Sequence, residues 1–238
     1  MAVLIIVIML RKNIRPSAMK KSINLKHMHN TLKSFPVFLI GNGPSVNDEN
    51  VSDLKDYFTI GLNRAFMALD PTILFWQDSH LWLTEKAGIL ESKSIKICRD
   101  ISDPQNRFNH FRLRTTDNFR LPDGPQLLYG KGATGPLAFQ FAYALGCDPI
   151  VLIGFDCKYR NGKTDFYGIN KNHKAYTLNN CTRGLQWMAN LRTERKIINC
   201  SDNDVFSNRV TLKNTLAKMK QFARGQEFYN KTIMKNVH

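Results

Sequence analysis

Short β-branched or apolar runs of three or four residues recur at 37–40, 59–62, 73–76, 95–98, 150–153 and 197–199, with helical patterns between them. Strands that are apolar throughout belong to a sheet covered on both sides. Segments near 50–57, 79–88, 136–145 and 174–192 have the helical character to supply that cover. The alternation predicts an α/β fold: a doubly wound, mostly parallel, Rossmann-like sheet with helices on both faces. The segment 136–145 is the best-marked helix, with Pro136 in its first turn, an apolar body from Leu137 to Leu145, and Gly146 as its stop.

A chain of 238 residues, 43% of them hydrophobic, supports one sizeable core. The formal charge of +15 sits at the ends. Residues 1–34 hold seven Lys or Arg and no acid, and residues 207–238 hold seven against Glu227, which leaves only +2 for residues 35–206. The expected organisation is therefore a basic N-terminal extension over 1–34 and a single nucleotide-binding domain over 35–238. A basic helix carrying Leu212, Leu216, Met219 and Phe222 closes that domain, and such a stripe docks on its own domain more often than on a membrane. Residues 100–126, rich in Arg, Asn, Asp and Pro, are expected to form a long loop or lid.

Cys98, Cys147, Cys157, Cys181 and Cys200 form no C-x-x-C pair and are odd in number, which points to free thiols in a reducing compartment and to no zinc framework. Met1 to Leu10 is apolar but spans only about half a bilayer core. Met19 and Met28 are alternative starts. The expectation is a cytoplasmic protein whose basic ends allow peripheral contact with the anionic inner face of a membrane. No RNP, zinc-finger or helix-turn-helix signature supports nucleic acid as the partner.

Ligands of open parallel sheets bind beyond the carboxyl ends of the strands. The first strand breaks into Gly41-Asn42-Gly43-Pro44-Ser45, a turn whose glycines tolerate positive φ and let a phosphate or sugar approach the backbone. Three other runs also end in polar residues: Asn63 and Arg64, Gln77 and Asp78, and Asp156. These can hydrogen-bond a base, a ribose or a phosphate. A second glycine-rich turn from Gly130 to Gly135 leads into the Pro136 helix, where Lys131, Thr134 and the Gly135 amide would favour an anion. After Asp156 comes a polar loop with Tyr159 and Tyr167, then His173. A phenol can steady a departing phosphate, and a histidine can take a hydroxyl proton. His80 and His110 have no comparable setting.

In its order of motifs, the stretch from about 36 to 206 resembles the bacterial lipooligosaccharide sialyltransferases. They also open with a strand and G-N-G-P-S, end a second strand in Asn, as at Asn63, and place T-S-G before an A-x-A-x-A-L-G helix. Ala133-Thr134-Gly135 and Ala142 through Gly146 are similar. Gly154-Phe155-Asp156-Cys157-Lys158-Tyr159 resembles that family's G-I-D-F-Y, with the tyrosine one residue later, and His173 stands where the family has a catalytic histidine. The resemblance implies that Asn42, Gly43, Asn63, Thr134, Gly135 and Asp156 cradle the CMP part of a donor, that Tyr159 and Tyr167 touch the leaving phosphate, and that His173 is the base. Lys131 takes the place of the family's donor-phosphate arginine.

The expected activity is thus a glycosyltransferase taking a CMP-linked, sialic-acid-like donor and a glycan acceptor, with no metal or other cofactor required. The same core also resembles a family that includes hydroxymethyl-dihydropterin pyrophosphokinases, through Asp70-Pro71 and Trp76-Gln77-Asp78. In that reading Asp78 serves a magnesium–ATP substrate. A non-catalytic nucleotide- or nucleic-acid-binding protein is the third reading.

Overall fold

The computed structural model of the chain describes residues 23–170 and 175–235. Eight strands form one sheet: β1 (Val37–Ile40), β2 (Thr59–Leu62), β3 (Ile73–Trp76), β4 (Ile95–Arg99), β5 (Asn109–Arg114), β6 (Leu127–Tyr129), β7 (Ile150–Ile153) and β8 (Ile197–Asn199). Their order is β6-β5-β4-β3-β2-β1-β7-β8, and every pairing is parallel. The chain steps outward from β1 to β6, then crosses back to lay β7 on the other side of β1. In register, Val37 sits beside Ile150 and Ile40 beside Ile153. Connections leaving β1 and β7 diverge there, and that divergence opens a crevice at the strands' carboxyl ends.

All four residues of β1, β2, β3 and β7 are buried, as apolar runs require when both faces are covered. The pleat sends Val37 and Leu39 to one face and Phe38 and Ile40 to the other. On the first face lie α2 (Thr134–Ala144), α3 (Ala175–Ala189) and α5 (Gln226–Lys235), packed over Leu39, Ile60, Phe75 and Leu152. The opposite face is covered by short 3-10 turns at 44–48 and 51–56 and by α4 (Leu212–Ala217). Further along that face, α1 (Ser79–Glu91) covers Leu74, Trp76 and Cys98.

Four expectations need correction. Residues 23–34 belong to the core and are not an appended arm: Leu25, Met28 and Leu32 are buried, and the amides of Asn30, Leu32 and Ser34 donate to the carbonyls of Ala144, Leu145 and Gly146. The lysines between these apolar positions hid the stripe from a count of charge. The stretch 100–126 contains β5, which continues the sheet and is flanked by β6. Only Phe111 of β5 is fully buried, so no apolar run announces it. The turn before it is organised by Asp103, whose carboxylate accepts the Phe108 amide at 2.8 Å and the Arg107 side chain at 3.1 Å. Finally, the C-terminal stripe is not one helix. It is α4, a 3-10 turn at 220–222 and then α5, interrupted near Met219 and at Gly225, whose φ is +78°. Its apolar side does dock on its own domain, with Leu212 and Met219 buried. The segment expected as a helix near 50–57 is a 3-10 turn over 51–56.

Candidate active site at the sheet switch point

A cleft of about 610 Å³ opens beyond the carboxyl ends of β1, β2, β3 and β7, within the size range of small-molecule sites. Gly41, Asn42 and Gly43 line it after β1, Asn63 and Arg64 after β2, Gln77 and Asp78 after β3, and Asp156 after β7. Thr134 and Gly135 enter from the start of α2, and Tyr167 from the polar loop. The far wall is one face of α3, through Leu178, Cys181, Leu185 and Met188. The two glycine-rich turns therefore meet in one place. Ser45, Lys131 and Tyr159 are not among the lining residues. His173 falls within 171–174, outside the described residues.

The first glycine turn serves the fold before any ligand. Neither Gly41 nor Gly43 is at positive φ. A Cβ on Gly41 would lie 2.4 Å from the Gly154 carbonyl oxygen, and one on Gly43 would lie 2.6 Å from the Asp156 carboxyl carbon. Small residues are needed because the β1 and β7 turns touch. Asp156, 3% exposed, locks that contact: Oδ2 accepts the Ser45 amide at 2.7 Å, while Oδ1 accepts the Ser45 hydroxyl at 2.5 Å and the Asp202 amide at 3.2 Å. Burial pushes the Asp156 carboxyl above its ordinary value, and the hydrogen bonds from Ser45 work against that rise. Asn42 is a similar clip. Its Nδ2 donates to the Leu62 carbonyl at 2.8 Å and its Oδ1 accepts the Arg64 amide at 3.2 Å, which fixes the β2 turn relative to β1.

That turn places Asn63 at φ +50°, a left-handed conformation asparagine tolerates. Its buried Oδ1 has no hydrogen-bond partner among the described residues. A buried acceptor left unpaired costs about 1–3 kcal/mol, which a ligand donor would recover. Across the cleft, no side chain among the described residues caps the N-terminus of α2, so the first amides of an eleven-residue helix face the space with the positive end of its dipole. Gln77 Nε2 donates to the Thr134 hydroxyl at 3.3 Å and steadies that helix start against β3.

Tyr167 hangs over the same space because its loop is pinned to the β1 turn. The Phe166 amide donates to the Asn42 carbonyl at 2.7 Å, and Asn47 Nδ2 donates to the Phe166 carbonyl at 2.8 Å. The Tyr167 hydroxyl oxygen accepts from Arg64 at 3.3 Å and from Asn170 at 3.2 Å, so its own hydrogen is directed away from both. Burial, with Asp165 adding to it, raises the phenol above its ordinary value, and it stays a neutral donor at neutral pH. Arg64 is itself held by Glu85 at 2.7 Å.

Besides Ser45, which is hydrogen-bonded to Asp156, two predicted contacts lie elsewhere. Tyr159 is 55% exposed. Lys131 is turned to a surface ion pair with Asp117. Sequence reasoning missed His80 in the first turn of α1, Asp165 and Asn170 in the polar loop, and Cys157 facing Cys181, all of which line the cleft. A hydrogen bond to Cys181, then burial, raises the Cys157 thiol, so it is no ready nucleophile. The only available signal for His80 was its place two residues after Asp78, at a strand's carboxyl end.

No family model matches the chain, and no curated protein matches it. Solved structures similar to it include the sialyltransferase CstII from Campylobacter jejuni in complex with cytidine-5'-monophosphate, at 16% identity, covering 76% of this chain and 85% of that one, with a TM-score of 0.47. The same enzyme with CMP-3FNeuAc matches at 16% identity over 81% and 87% of the two chains, with a TM-score of 0.42. Its complex with a trisaccharide acceptor and CMP matches at 16% identity over 69% and 80%, with a TM-score of 0.40.

Proposed function

We propose that the chain is a glycosyltransferase that takes a CMP-linked donor sugar and transfers the sugar to a glycan hydroxyl by direct displacement at the anomeric carbon. The observation that carries this reading is the N-terminus of α2 and the amide oxygen of Asn63, neither with a side-chain partner among the described residues, lining one cleft with the outward hydroxyl of Tyr167. Those three features suit a phosphate, a nucleoside donor group and a leaving-group oxygen. The order of the G-N-G-P-S, Asn63, Thr134-Gly135 and Asp156 motifs along the chain supports cytidine monophosphate as the nucleotide.

The amides of α2 hold the donor phosphate, and Asn63 Oδ1 accepts a hydrogen from the nucleoside. Tyr167 donates its hydrogen to a phosphate oxygen as negative charge grows there. Arg64 and Asn170, donating into the phenol oxygen, polarise that O–H and fix its direction. His173, two residues before α3 in sequence, removes the acceptor hydroxyl proton. The acceptor oxygen bonds the anomeric carbon as the bond from that carbon to the phosphate oxygen breaks, and CMP departs. Replacement of His173 by alanine is expected to lower kcat by about 10²–10⁴-fold while CMP binding persists. Full transfer by that variant would refute the mechanism.

A second reading rests on Asp78, whose exposed carboxylate stands at the cleft rim. It suits a magnesium–nucleoside triphosphate and pyrophosphoryl transfer. Complete loss of activity on magnesium chelation, with ATP as the preferred ligand, would select it.

A further inference from the structure

We propose that Cys98, Asp103 and His110 form a structural divalent-metal site of the zinc class, separate from the cleft. The sulfur, a carboxylate oxygen and a ring nitrogen all lie within 4.8 Å of one another. The backbone brings them there. Cys98 and His110 are direct partners in the β4–β5 register, and Asp103 is folded back between them by the Phe108 and Arg107 amides. Cys98 is fully buried, Asp103 is 2% exposed, and none of the three lines the cleft.

The donor set is thiol, imidazole and carboxylate, the borderline-soft mixture that suits zinc and not the hard oxygen ligation of magnesium or calcium. Bonds of about 2.0–2.3 Å in tetrahedral geometry put ligand atoms roughly 3.3–3.8 Å apart. His110 Nε2 and Asp103 Oδ2 are already 3.2 Å apart, so an ion can take the place of the hydrogen between them, and the sulfur needs to close by about 1.3 Å at most. On binding, the Cys98 thiol releases its proton to solvent and His110 carries its remaining ring hydrogen on Nδ1. Thiolate and carboxylate then balance the divalent charge. Arg107, which donates to Asp103 Oδ1 at 3.1 Å and stacks 4.0 Å over Trp82, orients the carboxylate from the second layer. The Trp76, Trp82 and Phe108 rings pack in one cluster with Cys98, and the His110 side chain, 19% exposed, marks the way in. Full burial of Cys98 excludes the other use of such a trio, nucleophilic catalysis, because no substrate reaches the sulfur. Ligation would pin the start of the 100–126 segment, whose Ser102 hydroxyl donates to the Gln77 carbonyl beside the cleft.

The test uses the full-length protein, stripped with a chelator and titrated with Co²⁺, then Zn²⁺. One equivalent of Co²⁺ should bind with thiolate-to-cobalt charge-transfer absorption, and Zn²⁺ should displace it. The absorption should vanish in Cys98→Ala and survive in a Cys157→Ala/Cys181→Ala double variant. His110→Ala should weaken binding by more than the roughly 10–100-fold cost of a lost outer-layer partner. X-ray absorption of the zinc-loaded wild type gives a reading independent of variants: one sulfur at about 2.3 Å with nitrogen and oxygen at about 2.0–2.2 Å. Absence of the charge-transfer absorption, its retention in folded Cys98→Ala, or two sulfurs in the zinc shell would overturn the site.

Discussion

Replacing Asp156 by asparagine tests whether this residue is a latch of the fold or a contact to the ligand. The carboxylate accepts from the Ser45 amide, the Ser45 hydroxyl and the Asp202 amide. An asparagine keeps one acceptor oxygen. If that oxygen stays at the Ser45 hydroxyl and Asp202, the new NH₂ confronts the Ser45 amide across a gap of 2.7 Å. If the amide flips, its NH₂ confronts the Asp202 amide, which keeps only the Ser45 hydroxyl oxygen at 3.4 Å. The first arrangement orphans one buried N–H at about 1–3 kcal/mol, the second leaves one with a long bond, and in both the surviving bonds fall from charge-assisted to neutral strength, costing about 1 kcal/mol more. Relief of the burial that raises this carboxyl returns part of the loss. The net expectation is about 2–3 kcal/mol, a sizeable share of the roughly 5–15 kcal/mol that holds a domain folded. Urea unfolding at pH 7 should show a midpoint lower by about 1 M, at an m value of about 2–3 kcal/mol/M. CMP affinity, measured well below that midpoint, should stay within about fivefold of wild type, a cost of under about 1 kcal/mol at about 1.4 kcal/mol per decade. An unchanged midpoint with CMP binding abolished would refute the latch and make Asp156 a ligand contact.

Tyr167→Phe should leave CMP binding nearly unchanged and lower kcat by about 10–100-fold, the worth of one hydrogen bond to a charged leaving group, measured by steady-state CMP release. Equal loss of CMP affinity would place the hydroxyl in ground-state binding instead. Burial raises Cys200 from 9.0 to about 11 and Tyr229 from 10.0 to about 12. Both groups are neutral in the folded state, so their stabilisation is fully present below pH 9, where the unfolded chain is also protonated, and is lost as pH rises from 9 towards about 12. At about 1.4 kcal/mol per pH unit the Cys200 share is about 3 kcal/mol, and Cys200→Ala should flatten the fall in denaturation free energy between about pH 9 and 11. An identical slope in that variant would contradict the assignment.

The central strands were legible because each is buried on both faces, so its residues are apolar apart from Thr59 and their limits stand out within a residue. The sheet's far edge was not. β5 mixes Asn109, His110, Arg112 and Arg114 around a single buried Phe111, a pattern that resembles a loop. α5 buries only Tyr229 and Ile233, one turn apart, too thin a stripe to read beside Lys231 and Lys235. At the site, the rule that ligands gather beyond strand carboxyl ends located Asn63, Arg64, Gln77 and Asp78, because it depends on topology alone. It could not separate residues that face the cleft from residues such as Ser45 that hold its walls together. That distinction depends on hydrogen bonds across 111 residues of sequence, as between Ser45 and Asp156. Tyr159 and Lys131 had suitable chemistry in suitable segments, but the direction of a side chain on a turn is set by neighbours no local pattern names.

Whether the cleft grips a nucleoside monophosphate is decided by calorimetric titration of CMP and of cytidine into the wild-type protein and into Asn63→Ala. CMP should bind, cytidine should bind at least tenfold more weakly because it offers nothing to the amides at the start of α2, and Asn63→Ala should weaken CMP by about 5- to 150-fold. Equal affinity for CMP and cytidine, no affinity for either, or undiminished CMP binding by Asn63→Ala would contradict this reading of the cleft.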